Sequence, residues 1–387
     1  MVAKKILLSE PNIIGNELKY LKQCLKSNWI SSSGEFVNKF ENAVKKFTGA
    51  KYAISCINGT AALDLSLKIL GVKTGDEVIV PTITFIAPIN AVIYNGASPL
   101  FMDADNYFNI DVKKCMEFIN NETVFKNGYT YNKKTSKKIK AIIVVHVWGN
   151  AVNLDQLVNK CKNRNIKIIE DASESLGTVY KEGRYKKKHT GTIGNIGCLS
   201  FNGNKIISGG NGGMILTNNI TLAKNAKYYS TQSKNDSIYF IHNNVGYNYR
   251  MSSINAAFAM AQLENMDFFL KSKLKLFNKY KNEINKIKGL QIYDVPHYAI
   301  NNHWMNVLYI DNQKYDKTIK KLIHIFNSNN IQVRPVWYLN HKQKMFKKFQ
   351  KYKINNAPEM IKNSLCLPSS TNLNSNNLKK IIRVLNA

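Results

Sequence analysis

The stretch "LSFNGNKIISGGNGGMILTNN", residues 199–219, sets one lysine, Lys205, between an apolar run and a cluster of glycines. A lysine placed there is either an ordinary solvated loop residue or a nucleophile that forms a Schiff base. Three further groups bear on the choice. Asn58, Gly59 and Thr60 in "SCINGTAAL" open a helical pattern. Small residues at a helix start expose amides and a hydroxyl suited to a phosphate, although an ordinary N-cap threonine fits the same letters. Asp171 ends the apolar run of "IKIIEDASES", where its carboxylate either holds a cationic ring nitrogen or caps the next helix. Ser200 ends the run just before Lys205. A phosphate cradle, an anion for a pyridinium and an amine are together what pyridoxal phosphate requires of a protein. The glycines after Lys205 resemble a nucleotide phosphate loop only superficially, because such a loop places its lysine after the glycines.

These residues need strands that end at one edge. Short β-branched runs recur at 77–81, 98–105, 141–147, 166–171, 197–201 and 213–217. Helical patterns fall between the early ones, at 60–70, 84–96 and 154–165. Apolar strands alternating with amphipathic helices predict a mainly parallel sheet covered on both faces, with ligands beyond the carboxyl ends of its strands. From residue 253 the pattern reads as one long helix running to about residue 287. We therefore expect a large α/β domain over 20–252, and over 253–387 the long helix and a smaller α+β domain, with residues 1–19 packing against the latter. The lysine-rich segment 120–138 reads as an exposed excursion before the next strand.

Bulk composition narrows the class. A chain of 387 residues, 44% hydrophobic, can bury a sizeable core. Six scattered cysteines with no C-x-x-C pair read as free buried thiols, with no disulfide frame and no metal site. No apolar run is long enough to span a membrane, and no secretory signal is visible at the start, so the expectation is a cytoplasmic protein. The net charge of +30 suggests nucleic acid. Against that, the lysines are spread over the whole length alongside many Asn and Ile, and no nucleic-acid-binding motif accompanies them. We expect no nucleic-acid partner.

The motifs "SNWISSSGEFVNKFENAVKKFTGAKYAISCINGTAALDLSL", "GDEVIVPTITFIAPINAVIYNGASPLFMDAD", "HVWGNAVNLDQL", "IIEDASESLGT", "TGTIGNIGCLSFNGNKIISGGNGGMILT", "VGYNYRMSSINAAFAMAQLE" and "RPVWYL" span nearly the whole chain. Together they resemble the sugar-nucleotide aminotransferases of the DegT/StrS type, which are fold-type I pyridoxal phosphate enzymes. The "SFNGNKII" wording, Glu174 and the 120–138 excursion are most similar to the branch that aminates UDP-4-keto-6-deoxy-N-acetylhexosamines in bacillosamine and legionaminic acid synthesis. Other branches carry Gln or His at the position of Glu174.

The resemblance implies a role for each matching residue. Lys205 would bond the cofactor and move the proton to and from the sugar C4, and Asp171 would pair with the pyridine nitrogen. Gly59, Thr60 and Ser200 would bind the phosphate, joined by Asn248 of "GYNYRM" reaching across a homodimer whose sites are shared. Phe85 would stack on the ring, although a core role fits it too, and Glu174 would lie beside the ring hydroxyl. Trp29, Ile30 and Ser31 would approach the sugar, and Arg334 and His341 would contact the substrate or the carboxylate of the donor. His146 is a further candidate, and a satisfied core histidine fits it equally. The implied partners are a nucleotide sugar and L-glutamate/2-oxoglutarate, the cofactor alternating between its pyridoxal and pyridoxamine forms. Acceptors linked to dTDP or GDP are the alternative. Relatives in which His replaces the lysine catalyse dehydration, which the retained Lys205 argues against, and a non-catalytic cofactor- or nucleic-acid-binding regulator is a further alternative.

Overall fold

A strand made wholly of apolar residues cannot leave either face in water, so it has to sit inside a sheet covered on both sides. The structure is a computed structural model that describes residues 5–386. Its main sheet has eight strands, in the spatial order Tyr52–Cys56, Gly213–Thr217, Ile196–Ser200, Lys167–Asp171, Ile139–Val145, Glu77–Pro81, Ser98–Met102 and Lys351–Tyr352. Only Gly213–Thr217 runs antiparallel to its neighbours; every other pair is parallel. Alternate residues of one strand enter different cores. Val78 and Val80 join one apolar cluster while Ile79 joins another, and Ile143 and Val145 part from Ile142 and Val144 in the same way. Each such side chain, once buried, stabilises the fold by about 1.5–3 kcal/mol. The helix Gly59–Ile69 covers the first face with Ala62, Leu63, Leu65 and Leu67. Val112–Asn121 and Asp155–Asn163 cover the second with Phe118, Ile119 and Leu157.

A second, four-stranded antiparallel sheet follows in the order Leu290–Ile292, Asn306–Ile310, Ser364–Leu367 and Arg334–Pro335. It shares a separate core with Tyr280, Phe326 and Ile381, carried by the helices Met266–Ile284, Ile319–Ser328 and Ser375–Asn386. Ile6 enters this core and bridges to Ile331. Ser369 donates its amide to the Leu8 carbonyl at 2.7 Å.

Three expectations need correction. The long helix is two, Ser253–Glu264 and Met266–Ile284. The side-chain amide of Asn265 takes the Ala261 carbonyl at 3.0 Å, and its backbone amide turns to Gln262 in a tighter bond, so the helical ladder breaks there. The 98–105 strand stops at Met102, because Asp103 turns inward to serve other backbone groups. The segment 120–138 is not a bare excursion. It folds into a hairpin, Thr123–Lys126 with Tyr129–Asn132, around Asn127 and Gly128 at φ +50° and +75°. An Asn-Gly pair between alternating residues is a strong hairpin signal. Asn132 is buried, donating to Glu77 and Gln350 at 2.8 Å each. All six cysteines are free and buried. No helix among the described residues is long and apolar enough to cross a membrane.

Asp103 fastens the late chain to the large sheet. It is fully buried, pairs with Lys114 at 2.5 Å, and accepts the amides of Asn355, Asn356 and Ala357 at 2.8–2.9 Å. Burial pushes its carboxyl up, but Lys114 and those amides outweigh burial and hold it below the usual range. A group depressed in the folded state stabilises above its unfolded value, near pH 4, and that stabilisation is lost as pH falls through the folded value. Asp103→Ala should therefore cost about 3–5 kcal/mol at neutral pH. In urea denaturation, its deficit against wild type should narrow steadily as the pH is taken down to about 3. A deficit that does not change with pH would show that the charge is not what matters.

Candidate active site

The carboxyl ends of the parallel strands open on a cavity of about 470 Å³. The strand Lys167–Asp171 delivers two carboxylates to opposite faces of the sheet, since neighbouring residues alternate. Glu170 is fully buried on the side away from the cavity. It accepts the amides of Gly191, Ile193 and Gly194 at 2.8, 2.7 and 2.6 Å, and His146 Nε2 lies at 3.0 Å. Burial pushes its carboxyl up, and His146 with these amides more than reverses that. His146 Nδ1 accepts the Val152 amide at 3.0 Å, so its proton sits on Nε2 and points at Glu170. His146 is thus a satisfied core histidine; it does not line the cavity.

Asp171 does line it, 5% exposed, with its Oδ1 accepting the Ser173 amide at 3.1 Å. Burial pushes its carboxyl up, opposed by Ser173, Lys205 and His146. Such a group favours a cationic partner, whose arrival keeps it ionised. Lys205 stands in the turn after Ile196–Ser200, with its Nζ 3.5 Å from Glu174 Oε1. Glu174 is buried, and its Oε2 accepts the Trp148 amide at 2.8 Å. Burial raises its carboxyl, and Lys205 opposes that most strongly. Trp148 reaches Glu174 from a left-handed backbone, φ +54° and ψ +24°. Such a conformation costs a bulky residue on the order of 1–3 kcal/mol and collects at functional sites.

The helix Gly59–Ile69 points its start into the same space, where the first amides have no intrahelical acceptor. A Cβ on Gly59 would stand 2.9 Å from Ser200 Cβ and 3.3 Å from Ser173 Oγ, so only glycine leaves this corner open. A Cβ on Gly213 would meet the Asn58 carbonyl oxygen at 2.3 Å, which explains the end of the glycine cluster: the strand passes directly beneath the helix start. A corner of free amides with Thr60 and Ser200, a buried carboxylate and a lysine amine lie around one cavity. That donor set fits pyridoxal phosphate: phosphate at the helix start, ring nitrogen at Asp171, aldehyde carbon at Lys205.

Nine of the residues singled out in the sequence meet here: Asn58, Gly59, Thr60, Phe85, Asp171, Glu174, Ser200, Lys205 and Arg334 all line the cavity. Phe85 stands at the mouth, 56% exposed. The others lie elsewhere in the single chain. Asn248 is exposed and bridges to Thr231. Trp29, Ile30 and Ser31 are exposed outside the cavity, with the Ser31 carbonyl taken by the Ser253 amide at 2.8 Å. His341 corrects an expectation. It is buried away from the lining, its Nδ1 2.6 Å from Thr82 Oγ1, and desolvation pushes its imidazole down to about 4. Three tryptophans line the cavity without having been singled out: Trp148, Trp304 and Trp337. Nothing in the spacing of isolated tryptophans announces a cavity wall.

Residues 11–386 match the family described as the DegT/DnrJ/EryC1/StrS aminotransferase family. The chain is 35% identical to the GDP-perosamine synthase of Escherichia coli O157:H7, over 99% of this chain and 98% of that one. It is 27% identical to the UDP-4-amino-4,6-dideoxy-N-acetyl-beta-L-altrosamine transaminase of Campylobacter jejuni strain 81-176, over 97% and 95%. Among solved structures it superposes on Helicobacter pylori PseC, an aminotransferase of pseudoaminic acid biosynthesis, with a TM-score of 0.86. That match has 21% identity and covers 99% of this chain and 98% of that one.

Gly59→Ala tests the phosphate corner. We expect it to fold normally and to bind inorganic phosphate and pyridoxal phosphate at least ~10-fold more weakly, the equivalent of one lost charge-assisted hydrogen bond. Titration calorimetry of both ligands reads this directly, and unchanged affinity would move the phosphate site elsewhere.

Proposed function

The chain belongs to the DegT/DnrJ/EryC1/StrS aminotransferase family, and on that premise we propose that it moves an amino group from L-glutamate to C4 of a UDP-linked 2-acetamido-2,6-dideoxy-4-ketohexose. Members of this family are pyridoxal phosphate-dependent sugar aminotransferases. The convergence of Lys205, Asp171 and Glu174 at the start of the Gly59–Ile69 helix carries the catalytic part of the reading. Bound pyridoxal phosphate supplies an electron sink that makes the protons on neighbouring carbons removable. The protein supplies the rest. Asp171 holds a positive ring nitrogen in place, and the amides at Gly59 and Thr60 with Ser200 orient the phosphate. Lys205 Nζ would take the proton from Cα of glutamate in one half-reaction and deliver a proton to the sugar C4 in the other, one lysine serving both. Glu174 stays within reach of that amine and steadies it between turnovers.

The acetamido acceptor rests on the "SFNGNKII" wording, on Glu174 and on the hairpin at 123–132. A site that bonds a 2-acetamido group leaves buried polar atoms unpaired when a 2-hydroxy sugar enters, a cost on the order of 1–3 kcal/mol per missing bond. A second reading, a GDP-linked 4-keto-6-deoxyhexose, is favoured by the 35% identity to a GDP-perosamine synthase against 27% to a UDP-altrosamine transaminase. Wild type and Lys205→Ala, each supplied with pyridoxal phosphate, glutamate and the UDP-, GDP- or dTDP-linked 4-keto sugar, test both parts. Wild type should form the UDP-linked 4-amino sugar at least ~10-fold more efficiently than the others. Lys205→Ala should fold and lose turnover by several orders of magnitude. Higher efficiency on the GDP sugar would transfer the assignment to the second reading, and an active Lys205→Ala would end the aminotransferase reading.

We also infer that the working unit is a homodimer with shared sites. Asn248, Trp29 and Ile30 are exposed and take no part in the chain's own cavity. Ile238, Tyr239, Phe240 and Val245 are 77%, 78%, 64% and 83% exposed, an apolar surface of the kind that marks protein contacts. Sedimentation at assay concentration should give a dimer; a fully active monomer contradicts the shared site.

A further inference from the structure

We propose that Trp304 is a positioning residue for Lys205: its indole N–H fixes the turn that carries the lysine, and its ring face favours the cationic form of the lysine nitrogen. The inference rests on the reading of Lys205 as the cofactor-bonding lysine. Trp304 is 3% exposed and lies just before the strand Asn306–Ile310 of the second sheet. Its Nε1 donates to the Asn204 carbonyl at 2.7 Å, one residue before the lysine. Its ring centroid lies 4.4 Å from Lys205 Nζ, well inside the ~6 Å reach of a cation over an aromatic face.

The ring cannot drift from that place. The Trp304 amide donates to Asn302 Oδ1 at 3.0 Å, and the Trp304 carbonyl accepts from Lys273 Nζ at 2.9 Å. Lys273 is itself buried, and its amine also donates to the Ser369 carbonyl. Asn302 Nδ2 in turn donates to the carbonyls of Glu174 and Leu176, both at 2.9 Å. One amide side chain therefore sets the two groups that flank the Lys205 amine, Glu174 and the Trp304 ring. Simple space-filling requires the indole to be apolar and large; it does not require that the face point at an amine and the edge at a carbonyl.

The other charged groups around the amine are Asp171 and Glu174 from the large sheet and Arg334 on the cavity wall, with Lys273 and His303 behind Trp304. The carboxylates favour the cation as well, so the ring adds an increment, and its removal should let the proton leave at lower pH. The readout is the pH midpoint of the visible band formed when pyridoxal phosphate binds the full chain. Trp304→Met should lower that midpoint by on the order of one pH unit, and Trp304→Phe, which keeps an aromatic face, by less than half as much. Melting curves without cofactor accompany each variant, because a merely structural role would lower the melting temperature and leave the midpoint in place. Should Trp304→Met fail to fold, fluorinated tryptophan in the wild-type chain keeps the geometry and weakens the ring's negative face, so the midpoint should fall as fluorines are added. A midpoint that stays put in Trp304→Met or with fluorination, or that falls equally in Met and Phe, overturns the proposal. A wild-type chain that forms no visible band at all overturns the aminotransferase reading instead.

Discussion

Glu170 is a fully buried carboxylate, and the large sheet is arranged to keep it charged. Desolvating such a group costs several kcal/mol unless donors replace the solvent, and here His146 and the amides of Gly191, Ile193 and Gly194 do so. The geometry that follows is rigid. With Glu170 held on one face, alternation turns Asp171 to the other, toward the cavity. The amides bound to Glu170 belong to the segment that feeds the strand Ile196–Ser200, so the same carboxylate determines where that strand begins. Ser200 and Lys205 inherit their positions from it.

Around this fixed frame the chain accepts local disadvantage at the cavity. Asp171 and Glu174 are both raised by burial, and the charge of Asp171 raises Glu174 further; Trp148 carries a left-handed backbone to offer Glu174 one amide. The two apolar clusters on either side of the sheet supply the stability that tolerates this. Cross-ties through Asn302, before the strand Asn306–Ile310, and Lys273, on the helix Met266–Ile284, add rigidity where a cavity would otherwise leave side chains free. The walls are aromatic and the floor is ionic, which suits a flat, charged ligand better than a flexible apolar one.

Much of this was legible in the letters, for identifiable reasons. The strands Glu77–Pro81 and Gly213–Thr217 coincide with their β-branched runs because nothing at their ends competes with the ladder. The strand after residue 98 ends sooner than its letters suggest because Asp103 looks like an ordinary terminal carboxylate, while the backbone amides it accepts lie 252–254 positions away in the chain. The split at Asn265 depends on one side-chain amide choosing a backbone carbonyl, a choice that periodicity cannot register. In the site, Lys205, Asp171 and Ser200 follow from lying at strand ends, and Gly59 from opening a helix. Trp304 had no such cue. Its relation to Lys205 exists only across the boundary between the two sheets.

The packing of the first described residues has a consequence in time. Leu8 lines the cavity, its amide bound to Gln332 at 3.0 Å and its carbonyl to the Ser369 amide, while Ser9 Oγ reaches the Asn204 carbonyl beside Lys205 at 3.0 Å. Ribosomes add roughly 5–20 residues per second, so this segment emerges on the order of 20–70 s before the residues that seat it. The large sheet can form during that wait, but the wall around Lys205 cannot close until Gln332 and Ser369 have been made. Until then a nascent chain carries Lys205 in an open, half-built cleft, with the Leu8 and Ser9 segment still unseated.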